Sequence, residues 1–272
     1  MKVERFDHAH AFLASARTLL LTNEAANNLI LGVSASAAAG DYDSFLAWLI
    51  RDGRDIVTAA SQTPPNNLLL ARTDSMDAID TLAAVVSDIP GVVGAVPEVD
   101  RFVEHHPGAV RMLRQGVYSL SEVRVPLEPG SRRAAEEHRE LLLTWMMAFM
   151  EEVAGEGPDP EAAARNLSRR LDKPEEVAGV WVHEVEDEVV CMSGYSGPTP
   201  NGIRIGPVYT PSEHRGQGYA SRLVAAQSQW LLDHGRKFCF LYTDLENPTS
   251  NAIYQKIGYE MVCEAAEYHF NR

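Results

Sequence analysis

Apolar positions at Leu142, Trp145, Met146, Phe149, Met150 and Val153 recur at three- and four-residue spacing, which lines one face of a helix. A second helix is predicted from Asp159 as N-cap, with Pro160 in its first turn, to about residue 171. Extended stretches at 177–185 and 189–194 flank Glu186-Asp187-Glu188 and read as a hairpin. The loop 196–202 leads into a third strand, 203–210. An amphipathic helix then runs over about 219–234, closed by Gly235. A strand at 238–243, a short helix ending at Gly258 and a last strand over about 259–270 complete this half. The first half follows a similar order. A helix at about 9–21 precedes two strands joined by an Asp52-Gly53 turn; a strand near 67–72, a helix at 76–87 and a later helix and strand follow. The stretch 126–131 carries two prolines and a glycine, and it follows a predicted strand at 118–125. The expected domains are therefore 1–128 and 129–272. With no residue-level repeat in sight, a tandem pair of related folds and a pair of unrelated domains both stay open.

The 272 residues carry 24 Lys+Arg against 38 Asp+Glu, a net charge of −14. A chain this acidic argues against nucleic-acid binding, which needs a basic face. At 45% hydrophobic and 23% charged it can bury a sizeable core. No apolar run approaches the roughly 20 residues that cross a bilayer, and the first residues lack a signal-peptide core, so a cytoplasmic protein without a membrane partner is expected. Cys191, Cys239 and Cys263 are odd in number and widely spaced, which reads as reduced, buried thiols. His8/His10 and His105/His106 lack the spacing of metal ligands, and no metal is expected. Trp48, Trp145 and Trp181 fall in apolar elements and read as core anchors.

The segment with most chemistry in it is Arg215-Gly216-Gln217-Gly218-Tyr219-Ala220, between a strand and a helix. Two glycines let the backbone turn tightly, while the helix start offers unpaired N–H groups and a positive dipole end, a combination that holds a pyrophosphate. A dinucleotide fingerprint fits poorly, because its third glycine position is Ser221 and only 28 residues follow Asp244. A Walker A loop is excluded, since no Gly-Lys-Ser/Thr follows. Two turn glycines before an ordinary helix remain the plainest reading of this segment on its own.

About thirty residues further on, again directly after a strand, stands Asn247-Pro248-Thr249-Ser250-Asn251-Ala252-Ile253-Tyr254-Gln255-Lys256-Ile257-Gly258-Tyr259. With both segments in this order the sequence resembles the GNAT superfamily of acyl-CoA-dependent N-acetyltransferases. The family pattern Arg/Gln-x-x-Gly-x-Gly/Ala is matched by Arg215, Gly218 and Ala220. The pattern Asn…Tyr-x-Lys-x-Gly-Tyr/Phe is matched by Asn247, Tyr254, Lys256, Gly258 and Tyr259. The resemblance covers residues 131–272; the first half lacks both motifs.

The resemblance implies an α/β (α+β) fold, a mixed and mostly antiparallel central sheet flanked by helices, with two such domains in tandem. Its fourth and fifth strands, 203–210 and 238–243 here, would splay to admit the pantetheine arm of acetyl-CoA. The main chain of Val208, Tyr209 and Thr210 would pair with the pantetheine amides, which mimic a peptide. N–H groups of Gly216, Gln217, Gly218, Tyr219, Ala220 and Ser221 would hold the pyrophosphate. Arg215 would touch a phosphate or pair with Glu213. Asn247 would cap the short helix or bond the cofactor arm, and Asn251 would contact the cofactor or lie on the solvated helix surface. The implied reaction is attack of a neutral primary amine on the thioester in a ternary complex. A backbone N–H at Val208 or Tyr209 would serve the oxyanion, and Tyr254 would be the acid that protonates the leaving thiolate. The strand 203–208 contains no carboxylate, and Glu184, Glu186 and Asp244 are the remaining acids that a water could link to the amine, so no base is assigned. Overall acidity favours a cationic acceptor. A non-catalytic acyl-CoA-binding sensor or assembly module is the alternative function, and homodimer formation stays open.

Overall fold

The computed structural model describes residues 1–154, 157 and 159–270. In chain order it contains β1 (Lys2–Phe6), α1 (Ala9–Thr22), α2 (Asn28–Ala38), β2 (Leu46–Asp52), β3 (Asp55–Gln62), β4 (Leu68–Leu70), α3 (Met76–Ala83), β5 (Gly91–Ala95), α4 (Glu98–Val103) and β6 (Ala109–Leu120). These are followed by β7 (Ser131–Arg133), α5 (Arg139–Ala154), α6 (Pro160–Leu171), β8 (Gly179–Val185), β9 (Glu188–Ser196), β10 (Gly202–Tyr209), α7 (Tyr219–Asp233), β11 (Phe238–Asp244), α8 (Pro248–Ile257) and β12 (Glu260–Phe270). The chain forms two compact units. The first holds Met1–Ser119, Tyr242–Asn251 and the stretch from Glu260 onward; the second holds Leu120–Leu241 and Ala252–Tyr259. Each half of the chain runs β-α-α-β-β-β-α-β-α-β, the tandem order expected of related folds.

In the first unit the strands lie in the order β1-β2-β3-β4-β5-β12-β6. Only β4 and β5 run parallel; every other pair is antiparallel. Both faces are covered, so the strands read as continuous apolar runs and not as alternating ones. On β2, Ala47 and Leu49 face Phe12, Leu20 and Ile30 of α1 and α2, while Trp48 and Ile50 face Ile79, Leu82 and Phe102 of α3 and α4. The turn between β2 and β3 contains Gly53 at φ +60°, as the Asp52-Gly53 pair predicts.

The last strand of the chain, expected among residues 129–272 by position, belongs to this first unit. β12 lies between β5 and β6, with Ala265 opposite both Ala95 and Gln115. The strand expected at 118–125 is instead β6, ending at Leu120, and β1, α2 and β7 had no strong periodic signal. In α2, Asn28–Ala38 is apolar nearly all round, which hides a helical period.

The second unit has the strand order β11-β10-β9-β8-β7. Val180 and Val182 of β8 pack with Met192 of β9 against Leu142, Trp145 and Met146 of α5 and Leu167 of α6. The intervening positions face α7, where the Trp181 and Trp230 rings stand 5.7 Å apart and Ser193 bonds Gln227 at 2.6 Å. The β8–β9 hairpin turns through Glu186 and Asp187, both at positive φ (50° and 66°). Trp48, Trp145 and Trp181 are all buried.

Gly91 on β5 pairs with His269 on β12, and a Cβ there would meet the Tyr268 carbonyl and come within 2.7 Å of Asn67 Oδ1. Gly91→Ala is expected to destabilise the protein by about 1–3 kcal/mol through overpacking. Thermal melting should show a Tm lower by several degrees; an unchanged Tm would mean that β12 does not sit against β5.

Candidate active site

The parallel pair β10–β11 is short. It joins Gly202 to Phe238, Ile203 to Cys239 and Arg204 to Phe240, and stops there. β10 continues to Tyr209 alongside β9, with a bulge between Ile205 and Val208. Gly206 takes φ +136° inside that bulge, and Pro207 brings no N–H. The main chain at the end of β10 is therefore released from β11, and Val208 and Tyr209 carry the first N–H groups beyond the bulge. This is a place where a strand-like ligand can pair.

Beyond Thr210 the chain reaches the glycine loop. Gly216 and Gly218 both have φ +79°, a conformation costly for side-chain-bearing residues, and a Cβ on either would meet nothing within 4 Å. The glycines thus serve the backbone path and an open approach, not close packing. Gly218 is the N-cap of α7 and provides no capping side chain. Arg222 N–H reaches the Gly218 carbonyl at 3.2 Å. The preceding N–H groups of Tyr219, Ala220 and Ser221 lie in the first turn, where a helix supplies no acceptor. They point outward with the positive end of the helix dipole behind them, the donor set that an anionic group such as a diphosphate fits.

Around this loop the side chains are engaged. Arg215 donates from Nε to the Thr210 carbonyl (2.8 Å) and from Nη2 to Glu152 at the end of α5 (2.6 Å), with its guanidinium 5.8 Å from the Tyr209 ring centre. Glu152, not Glu213, is its ion-pair partner; Glu213 instead accepts from the Ser212 hydroxyl. The Tyr209 ring leans on Trp145 at 6.1 Å. Thr210 donates its hydroxyl to Cys191 Sγ at 3.1 Å. Arg222 bonds the Gln217 carbonyl and pairs with Glu128. The contacts of Glu152, Arg222 and Cys191 went unread in the sequence because their partners are distant along the chain or lie on another strand.

Tyr254 is half-buried on α8, its ring edge-on to Tyr259 at 6.0 Å. Burial, with the nearby Cys191 sulfur adding to it, pushes its phenol up to about 12. Tyr259 is different: its hydroxyl bonds Ser228 at 2.8 Å in the core. Among the described residues nothing bonds the Tyr254 hydroxyl.

Asn247 and Asn251 belong to the first unit. Asn247 Oδ1 accepts the Ser250 N–H at 3.0 Å, which makes it the N-cap of α8. Asn251 donates to the carbonyls of Asp244 and Asn247, while its Oδ1 is buried and unpartnered among the described residues. It is not a solvated surface residue. The acids weighed as bases are occupied or remote from this role. Glu184 forms a double hydrogen bond with Arg132, which holds its carboxyl below the usual range; Glu186 is in the exposed hairpin turn; and Asp244 accepts the Glu246 N–H. Burial raises the thiols of Cys191 and Cys239 to about 12 and that of Cys263 to about 11, which removes them as nucleophiles near neutral pH. Among the described residues no cluster of three His, Cys, Asp or Glu side chains could hold a metal, and no helix is long and apolar enough to cross a membrane.

The equivalent corner of the first unit is built otherwise. β4 pairs with β5 only at Leu68 and Leu69, and a small recess lies beside Leu70, Val93 and Ile30. The connection to α3, Ala71-Arg72-Thr73-Asp74-Ser75, has no glycine. Four of its five N–H groups have acceptors: Ala71 donates to the Ala59 carbonyl, Arg72 to Asn27 Oδ1, Thr73 to Glu98 Oε1 and Ser75 to Thr73 Oγ1. Ser75 caps α3 through Ala78 N–H, and Asp77 adds a negative charge to its first turn.

Comparison with known proteins agrees with this division. Residues 139–259 match the Acetyltransferase (GNAT) family. No curated protein matches the chain. Among solved structures, a GNAT-family acetyltransferase from Colwellia psychrerythraea is similar over 100% of both chains, with a TM-score of 0.60 and 10% identity. A tandem GNAT protein from the clavulanic acid biosynthesis pathway is similar over 98% of both chains, with a TM-score of 0.54 and 13% identity. A GCN5-related N-acetyltransferase from Kribbella flavida covers 79% of this chain and 87% of its own, with a TM-score of 0.54 and 16% identity. At these identities the likeness is one of fold. Residues 139–259 are a domain of the acetyltransferase (GNAT) family, whose activity is acyl-CoA-dependent acyl transfer.

Proposed function

We propose that the second unit transfers the acetyl group of acetyl-CoA to a primary amine by direct attack within a ternary complex. The observation that carries this reading is the conjunction of a β10 end released from β11, an uncapped α7 start behind two left-handed glycines, and an unbonded phenol on α8. The N–H groups of Gly216, Gln217, Gly218, Tyr219, Ala220 and Ser221 hold the diphosphate, and the main chain of Val208, Tyr209 and Thr210 lies along the pantetheine arm. Acetyl-CoA supplies an activated acyl group. The amine nitrogen forms a bond to the acyl carbon, the carbon–sulfur bond breaks, the nitrogen sheds one proton to solvent while Tyr254 gives one to the sulfur, and Tyr254 then regains a proton from solvent. A backbone N–H at Val208 or Tyr209 stabilises the developing oxyanion. The protein acts in the cytoplasm, with a cationic acceptor favoured by its charge of −14.

An alkylamine with pKa near 10.4 is neutral in only about one part in 2,500 at pH 7. Because none of Glu184, Glu186 and Asp244 is assigned to take its proton, the neutral form is the one used. The rate with saturating acetyl-CoA should then rise about tenfold per pH unit until the acceptor's own pKa, and Tyr254, with its phenol near 12, imposes no falling limb below about pH 11. A falling limb centred near pH 8 would count against Tyr254 as the acid.

Tyr254→Phe is expected to lower kcat about 10²- to 10⁴-fold while leaving Kd for CoA and Tm within error, since the hydroxyl bonds nothing. Thiol release from acetyl-CoA with a panel of amines, together with calorimetric titration of CoA, reads both. The titration should give one CoA per chain. Absence of turnover in the wild type with intact CoA binding would leave the binding-module function; two sites per chain would contradict the closed corner of the first unit.

A further inference from the structure

Arg215 closes a contact that neither family motif calls for. Its side chain leaves the glycine loop and reaches α5, where Nη2 donates to Glu152 at 2.6 Å across 63 residues of sequence. Nε holds the Thr210 carbonyl at 2.8 Å, and the guanidinium stands 5.8 Å from the centre of the Tyr209 ring. The loop's leading residue is therefore tethered on three sides before any anion arrives. Both members of the ion pair are about half exposed, with 48% and 52% of their side chains accessible. A pair this open is weak, because solvent and salt screen it and two long side chains must be held in one geometry. A diphosphate carries more charge than a carboxylate and offers a guanidinium two oxygens side by side.

We propose that Glu152 is the resident partner from which acyl-CoA takes Arg215, so that this surface pair sets the cofactor's affinity and its release cuts the tie between the glycine loop and the end of α5. The inference rests on the reading of that loop as the diphosphate site. Rotation about the Arg215 side chain suffices for the exchange, because its backbone directly precedes Gly216. Glu152 is then a positioning residue: it touches neither donor nor acceptor, and acts through Arg215.

The test is calorimetric titration of CoA into the full chain in low salt, with wild type, Glu152→Gln, Arg215→Gln and the double variant. Removing the competitor in E152Q should tighten CoA about two- to fivefold. R215Q should weaken it about tenfold, and E152Q should then change nothing in the R215Q background. Glu151→Gln removes the same charge one residue away from an exposed position that forms no ion pair among the described residues, and it should leave Kd unaltered. Equal tightening by E151Q and E152Q, or by E152Q with and without Arg215, would reduce the effect to general repulsion and overturn the proposal. Unchanged affinity in E152Q would overturn it as well. If the wild type itself fails to bind CoA, the diphosphate site and the proposal fall together; CoA binding without coupling removes only the proposal.

Discussion

Everything in the second unit turns on where β10 stops pairing with β11. Three residue pairs hold the parallel strands together, and then the Gly206-Pro207 bulge carries β10 away. Pairing through to Tyr209 would leave no free main chain for a ligand and no space at the mouth of the glycine loop. The bulge achieves this because Gly206 accepts a φ of +136° and Pro207 withdraws a donor from the ladder. The rest of the unit buttresses that parting: α5 and α6 fill one face through Trp145 and Leu167, and α7 fills the other through Trp230 and Gln227.

The two units show how one topology diverges in chemistry. The two halves of the chain run through the same ten-element order, and each has a parallel pair that breaks off early. In the second unit the connection to the following helix is long, glycine-bearing and rich in free N–H groups. In the first it is five residues long, and Asn27, Glu98 and Thr73 accept the N–H groups that an anion would need. Glu98 is fully buried and lies 3.4 Å from Arg72 Nε, so the acceptor of the Thr73 N–H is part of the first unit's own structure. The match to the acetyltransferase (GNAT) family covers residues 139–259, which include the glycine loop.

Much of this was legible in the sequence, and the limits have physical causes. Helices with a clear polar face, such as α6 and α7, and strands bounded by turn residues, such as β8 and β9, announced themselves by period. The apolar α2 did not, since a helix buried nearly all round loses its period. The placement of β12 in the first unit was invisible, because a strand's composition states that it pairs and not with what. At the site, Gly216, Gly218 and Tyr254 were readable from backbone need and motif. The Arg215–Glu152 pair was not; local spacing favoured Glu213, two residues away, whereas the fold delivers a carboxylate from α5. Asn247 acts as a helix cap, as its position before Pro248 indicated.

The most direct measurement is the change in backbone amide ¹⁵N–¹H resonances when CoA is added to the full chain. Gly216, Gln217, Gly218, Tyr219, Ala220 and Ser221 should shift strongly, together with Val208 and Tyr209, while residues 71–78 stay in place. Large shifts at 71–78, or none at the start of α7, would contradict a cofactor held by the uncapped end of that helix.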